Sequence, residues 1–438
     1  MYKKTSILIV CLLLMYGAKA QSTKKLSVSE AIELGVTNSK TLALSESKVK
    51  EAQAKVAQAR DKFWPEVGVS ASYLHINTPS IKQSGESSGS SGSSPLAALS
   101  NIHNIGLAQA SLSLPLFSGF QIRNNKQMAD YLEQAATYDV QTEKSKVKVN
   151  TVKAFAQYYE LLQTKSVLEE NLKQKQQQLA ELKNKEAQKL ITRNDLLKAE
   201  LQASNVELML TDVNNNIQLA NYNLVLLLGL SAETIIEVDT TNLFTIASVT
   251  NWADLLQKGL DNRSEIKSVS YQLKANESGY KVAKASRYPS LALTGGYINA
   301  YIPNFITVTN ALNAGVSFKY SITGAIHSNH KMQEASARSK QAEASQQLIT
   351  DQVSMEIRQK YLNYQQSLEK IKIYERSVEQ AKENFQINEN KYKQGLALLS
   401  DYQDADVLLL QAQINYSTGK ADSMIAYYEL QESTGNLQ

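Results

Sequence analysis

Between residues 122 and 189, apolar side chains recur in steps of seven, four and three, at Leu161, Leu168, Leu172, Leu179 and Leu182, and neither Pro nor Gly interrupts the run. That spacing is the seam of a coiled coil, and the intervening Gln, Lys, Glu and Ala favour helix. A helix over the whole stretch would be about 100 Å long. Tyr361, Leu368, Ile371, Val378 and Phe385 repeat the seam in the second half of the chain. Each run is followed by a short polar turn, at 190–194 and at 395–400, and then by a further apolar-periodic helix, with Leu210, Ile217 and Leu224 in the first case. A single helix cannot bury such a seam, so the pattern predicts antiparallel helical hairpins.

Elsewhere the period changes from helical to two. After Pro65, Val67, Val69, Ala71 and Tyr73 alternate with Gly68, Ser70 and Ser72, and Leu112, Leu114 and Leu116 alternate with Ser111 and Ser113 within 107–117. In the second half Leu291 and Leu293 lead to Tyr297, while Val316, Phe318, Tyr320 and Ile322 alternate with Ser317, Lys319 and Ser321. Strands with one apolar face and one small or polar face, about ten residues long, carry the weak signature of transmembrane β-strands. Pro65 and Pro289 should end the helices before them. The strand pairs are expected to be joined by a Ser/Gly run at 84–94 and by a shorter loop at 301–310. Trp64, Phe117, Tyr288, Tyr297 and Tyr301 fall near strand ends, as an aromatic girdle requires, although ordinary strand packing also places aromatics there.

The two halves are copies of one unit. An offset of 224 places Phe63-Trp64-Pro65 on Arg287-Tyr288-Pro289, Gly35 on Gly259 and Asn38 on Asn262; an offset of 206 places Leu190, Asp195, Ala199, Tyr222, Leu224 and Gly229 on Leu396, Asp401, Ala405, Tyr428, Leu430 and Gly435. The expected division is a signal peptide at 1–20, a first repeat at 21–230 and a second at 231–438, each ordered helix, strand pair, very long helix, helix. Residues 1–20 combine Lys3 and Lys4, an apolar run from Ile7 to Tyr16 and Ala18-Lys19-Ala20, the pattern of an export signal. The lone Cys11 lies in that run, so the mature chain is expected to have no disulfide.

Without the signal, 43 basic residues face 42 acidic ones, and nucleic acid is not an expected partner. With no apolar run of about 18 residues after the signal, an exported chain that enters a membrane must do so as a barrel. Four strands cannot close one, because the smallest membrane barrels have eight. Strand margins left open in lipid cannot be satisfied by water. Two chains would give an eight-stranded barrel filled by its own side chains; three give twelve strands and a passage, with the helical hairpins arranged by the same symmetry into a tube.

At this point the whole mature chain resembles the TolC family of outer-membrane efflux proteins. The likeness is carried by the duplication, Phe63-Trp64-Pro65, Tyr288-Pro289, Leu114-Pro115-Leu116-Phe117-Ser118-Gly119, Gly395, Ser400-Asp401-Tyr402-Gln403-Asp404-Ala405, Leu228-Gly229 and Thr434-Gly435. It implies a mainly α fold with a small membrane β part. Long coiled-coil hairpins form an α-barrel, and four strands per chain enter a trimeric twelve-stranded β-barrel. It further implies a homotrimer in outer-membrane lipid that docks onto a periplasmic adaptor protein and an inner-membrane pump, with no cofactor. By the same resemblance Asp401 and Asp404 form the periplasmic entrance gate, and Leu190, Ile191, Thr192, Gly395, Leu396 and Ala397 are the adaptor-docking tips. The residues also admit plainer roles, since first-turn carboxylates cap helices and Gly395 suits a helix C-cap. The first tip departs from the second at Lys189, which stands where the second has Gly395.

Enzymatic chemistry is not expected. His75, His103, His327 and His330 lack the Cys or clustered carboxylates of a metal site, and no nucleophile elbow or Gly-rich nucleotide loop is present. The expected function is the passive outer-membrane exit duct of a tripartite efflux pump. The alternatives are the channel of a type I secretion system, or a non-conducting trimeric coiled-coil surface protein.

Overall fold

The computed structural model describes residues 23–77, 103–239, 251–303 and 306–437. The signal segment, Cys11 and the Ser/Gly run 84–94 lie outside the described residues. The chain divides into two compact units. One comprises Met1–Ser47, Tyr138–Ile266 and Leu348–Gln438, the other Lys48–Thr137 and Lys267–Gln347.

In the first unit, β1 (Thr23–Leu26) lies parallel to β4 (Ile235–Val238), a pair too short to be legible in the alternation. It is anchored by the Tyr158 hydroxyl, which donates to the Ile236 carbonyl at 2.8 Å, and by the Asn221 amide, which bridges Thr234 and Ile236. Around it pack α1 (Val28–Thr37), α3 (Gln121–Ala187) and α4 (Arg193–Leu228), with Phe155, Leu224, Val225 and Leu228 fully buried. The second copy builds an equivalent smaller core from α5 (Trp252–Asn262), α7 (Ile322–Lys393) and α8 (Leu399–Ser433). There Tyr364 and Leu430 occupy the positions of Tyr158 and Leu224.

Both copies interrupt their first helix at the same place. α1 gives way to α2 (Lys40–Asp61) at Asn38-Ser39, and α5 to α6 (Ser264–Ala285) at Arg263. The Asn38 side chain donates to the Leu228 carbonyl at 2.7 Å and so closes the end of α4, where Gly229 turns left-handed at φ 65°. Gly35 and Gly259 are the close-approach points of the duplicated unit. A Cβ on Gly35 would run into Thr151, and one on Gly259 into Ile357 and the Ser433 carbonyl. Thr151 and Ile357 are themselves related by the 206-residue offset.

In the second unit, β2 (Glu66–His75), β3 (Asn104–Phe117), β5 (Ser290–Ile302) and β6 (Ile306–Lys319) form one antiparallel sheet in the order β2-β3-β5-β6. α2 and α6 both stop four residues before their prolines, at Asp61 and Ala285. The strands are 10 to 14 residues long, enough to cross a hydrocarbon layer when tilted. The register gathers Val67, Val69, Tyr73, Leu112, Leu114, Leu291, Leu293, Tyr297, Leu312, Val316 and Phe318 on one face and Ser70, Ser72, Ser111, Ser113, Thr294, Asn313 and Ser317 on the other. A bulge between Pro115 and Phe117 pairs Phe117 with Leu291. The extra residue swings Phe117 onto the apolar face.

Two expectations need correction. The stretch 301–310 is mostly strand, because β5 runs to Ile302 and β6 starts at Ile306. Thr309 and Asn310 fall in a second bulge, in which Asn310 turns left-handed at φ 57° and accepts a 2.8 Å hydrogen bond from the Tyr297 hydroxyl. At the other end the alternation overshoots, since Ile322 opens α7 rather than extending β6. Gly324 N donates to Ser321 Oγ there, a local cap that outcompetes the continued strand pattern.

Replacing Gly35 or Gly259 by Val should overpack the helix crossing and cost about 1–3 kcal/mol. A thermal-unfolding midpoint unchanged in both variants would show that these crossings are looser than described.

Candidate functional site at the helical hairpin tips

The tips of the two hairpins use one backbone device. In the first, Lys189 N donates to Glu186 O and Leu190 N reaches back to Lys185 O at 2.9 Å; in the second, Gly395 N donates to Tyr392 O and Leu396 N to Lys391 O at 2.8 Å. These are helix ends closed by a left-handed residue. Lys189 at φ 59° takes the conformation that Gly395 takes at 74°, so the departure from the repeat does not change the turn. Lys189 carries a strain of about 1–2 kcal/mol that a glycine would not.

The following helices start differently. Thr192 caps α4 through a reciprocal box with Asp195, its hydroxyl accepting from Asp195 N at 3.2 Å and Thr192 N donating to Asp195 Oδ2 at 3.3 Å. Leu398 has no side-chain acceptor, and only the reverse half survives, a 3.4 Å bond from Leu398 N to Asp401 Oδ2. The tip turns are accordingly 188–192 and 394–398, a little earlier than the polar residues suggest. Leu190, Leu396 and Leu398 are exposed, whereas Ile191 packs on Leu182, Leu196, Ala199 and Leu399. Lys189, Tyr392, Leu398 and Gln403 border a cavity of about 570 Å³, and the buried Gln403 Nε2 has no hydrogen-bond partner among the described residues.

Asp401 and Asp404 stand one turn apart and exposed on α8, with Asp401 engaged in the cap. The neighbouring Asp406, which the sequence reading passed over, is buried. It forms a 2.5 Å ion pair with Lys175 of α3 and accepts from Asn171 at 3.0 Å. Tyr402 stacks on Tyr392 at 5.5 Å and packs on Phe385. Burial first, and then Glu389, Asp406 and Glu181, push its hydroxyl well above the ordinary tyrosine range.

A second charged group lies farther along α8. Arg263 is almost fully buried and bonds Glu265 at 2.8 and 3.0 Å and Glu356 at 2.8 Å, with Glu432 at 3.6 Å; Glu429 bridges Lys153 and Lys360 at 2.5 and 2.8 Å. Burial opposes the charge of Arg263, but Glu432, Glu265 and Glu356 outweigh it and raise its pKa. Burial raises Glu432, where the repulsion of Glu356 and Glu265 adds to it against the attraction of Arg263 and Lys360, and hydrogen bonds from Lys153 and Lys360 overcome burial to lower Glu429. No cluster of possible metal ligands occurs among the described residues, and none of their helices is long and apolar enough to cross a membrane.

Helical hairpins with exposed tips, joined to a sheet that is apolar on one face, define the class of outer-membrane channel proteins. A model of the outer membrane efflux protein family matches residues 32–230 and 255–436, and the chain belongs to that family, one of efflux and transport rather than of enzymes. Among solved structures it is similar to the outer membrane protein VceC of Vibrio cholerae (TM-score 0.76, 20% identity, 93% of this chain and 96% of that one). The CmeC outer membrane channel of Campylobacter jejuni is another (0.75, 17%, 93% and 85%). A third is the open-state MtrE channel of Neisseria gonorrhoeae (0.74, 14%, 93% and 88%). No curated protein sequence matches significantly.

Lys175→Met leaves Asp406 buried and uncompensated, and should cost about 3–5 kcal/mol. Adding Asp406→Leu should restore most of it in chemical unfolding, and a double variant no better than the single one would contradict the ion-pair account. At Glu432 the raised pKa means that ionisation, starting near the ordinary 4.5, removes stability as pH rises. Glu432→Gln should therefore gain thermal stability relative to the wild type between acid and neutral pH; a difference independent of pH would refute it.

Proposed function

We propose that the protein is the outer-membrane exit duct of a tripartite efflux pump. It acts as a homotrimer that passively conducts small molecules from the periplasm to the exterior. The observation that carries this reading is the four-stranded sheet with both margins open. Among the described residues β2 and β6 each have one strand neighbour, and Val67, Val69, Leu312, Val316 and Phe318 on its apolar face are exposed. Pairing β6 of one chain with β2 of the next satisfies every margin only when the ring closes. Three chains supply twelve strands, beyond the eight at which side chains fill the interior.

The helical unit supports the same symmetry. Leu197, Leu201, Leu208, Leu219, Tyr222 and Leu226 form a second heptad-like seam along α4 that is exposed in the single chain, and on α7 Leu348, Met355 and Leu362 recur every seven residues, also exposed. Two different unburied seams suit a head-to-tail contact between copies. The tips, with Leu190, Ile191, Thr192, Gly395, Leu396 and Ala397, are the docking surface for a periplasmic adaptor bound to an inner-membrane pump. Gln403 supplies a spare donor beside the cavity there. Asp401 and Asp404 of three chains place six carboxylates around the axis as an entrance gate, a concentrated negative field that favours cations and narrows the mouth.

Single-channel recording in planar bilayers tests the reading. The purified trimer should conduct, and Asp401→Ala with Asp404→Ala should raise the conductance and weaken block by trivalent cations. A trimer that never conducts would favour a non-conducting surface rod, and unchanged block would remove the gate.

A further inference from the structure

At the helix-side end of the sheet, the apolar face continues into an aromatic chain. Phe117 meets Phe120 edge-on at 5.4 Å, and Phe120 meets Tyr288 edge-on at 6.5 Å. Phe120 is held there by an uncommon backbone, two successive left-handed residues with Gly119 at φ 60° and Phe120 at 67°. Only glycine fits at 119, because a Cβ would collide with the Ala285 carbonyl and Tyr288. Strain of this kind in a phenylalanine persists where the surrounding structure requires it.

Directly behind these rings lies a notch of about 420 Å³ bordered by Gly119, Phe120, Arg123, Lys281, Lys284 and Tyr288. Among the described residues, three cations border it and no carboxylate does. None of the three forms an ion pair with another described residue, in contrast to Lys126, Lys153, Lys175 and Arg263. Arg123 and the first turn of α3 share the rim, so the helix N-terminus adds its own positive end.

We propose that this notch binds the phosphate of a phospholipid headgroup, one per protomer, from the leaflet that faces the periplasm. The inference rests on the membrane placement of the sheet proposed above. In that placement the aromatic chain marks the interface between hydrocarbon and water, and cations one step outward sit at the depth of headgroup phosphates. The guanidinium of Arg123 can grip two phosphate oxygens while Lys281 and Lys284 neutralise the charge. Phe117, Leu291 and Phe318 on the adjoining apolar face give the acyl chains a surface. A free phosphate shares the headgroup chemistry but not that surface, so the lipid is the stronger ligand.

Native mass spectrometry of the detergent-released trimer tests this with three probes: phosphatidylglycerol, an uncharged diacylglycerol and inorganic phosphate. The wild type should retain about one phosphatidylglycerol per protomer and no diacylglycerol. The combined Arg123→Gln, Lys281→Gln and Lys284→Gln variant should lose it, with affinity falling about fivefold for each cation removed. Lys281→Gln alone, a change of one exposed side chain, should show the single step if the triple variant fails to assemble. Equal retention by wild type and variants, or equal retention of diacylglycerol, overturns the proposal. Phosphate that stabilises the trimer as strongly as phosphatidylglycerol would make this a free-anion site and overturn the lipid assignment. A failed duct reading would appear separately, as a wild type that forms no conducting trimer.

Discussion

Every backbone amide and carbonyl along β2 and β6 that faces away from the sheet needs a partner, and hydrocarbon offers none. In water such margins would be a tolerable liability, managed by charge or covered by a loop. Here the apolar face spans all four strands, with Val69 and Leu312 both 82% exposed. In the proposed duct, further copies of the same chain would supply the partners that these margins lack.

The duplicated unit solves the same local problems twice, with different residues. The left-handed turn at each tip is made by Lys189 in one copy and by Gly395 in the other. The close helix approach is Gly35 on Thr151 in one and Gly259 on Ile357 in the other. The copies diverge at the N-caps of α4 and α8, where a complete Thr192–Asp195 box becomes the half box of Leu398 and Asp401. Asp401 is thus the less fully engaged member of an equivalent pair, and it lies beside Asp404 on an exposed turn.

Charge is used in two ways in the helical unit. Exposed pairs one turn apart, such as Lys165–Glu169 and Lys372–Glu369, contribute little. The buried groups around Arg263 and Lys175–Asp406 instead join segments far apart in sequence, and taking Lys175 from Asp406 would leave a buried charge unpaired. In sequence these residues are indistinguishable from the many solvated Lys and Glu of a coiled coil, so Asp406, Arg263 and Glu432 carry no local signal, whereas Asp401 and Asp404 stand out only through the family resemblance.

The order of elements, the long helices, the strand alternation and the duplication follow from local periodicity, because 3.6-, 3.5- and 2-residue repeats depend only on which neighbours share a face. Leu168 and Leu182 were legible as core for that reason, and both are buried. Tertiary structure alone decided what depends on residues distant in the chain. It paired β1 with β4, and it set the bulges that bring Phe117 onto the apolar face and turn Asn310 left-handed inside β6. It also chose which Asp of three on two successive helix turns is buried, and gathered Arg123, Lys281 and Lys284 around one notch. Such outcomes are fixed by register and packing between segments, where a shift of one residue reverses which side chain faces which neighbour.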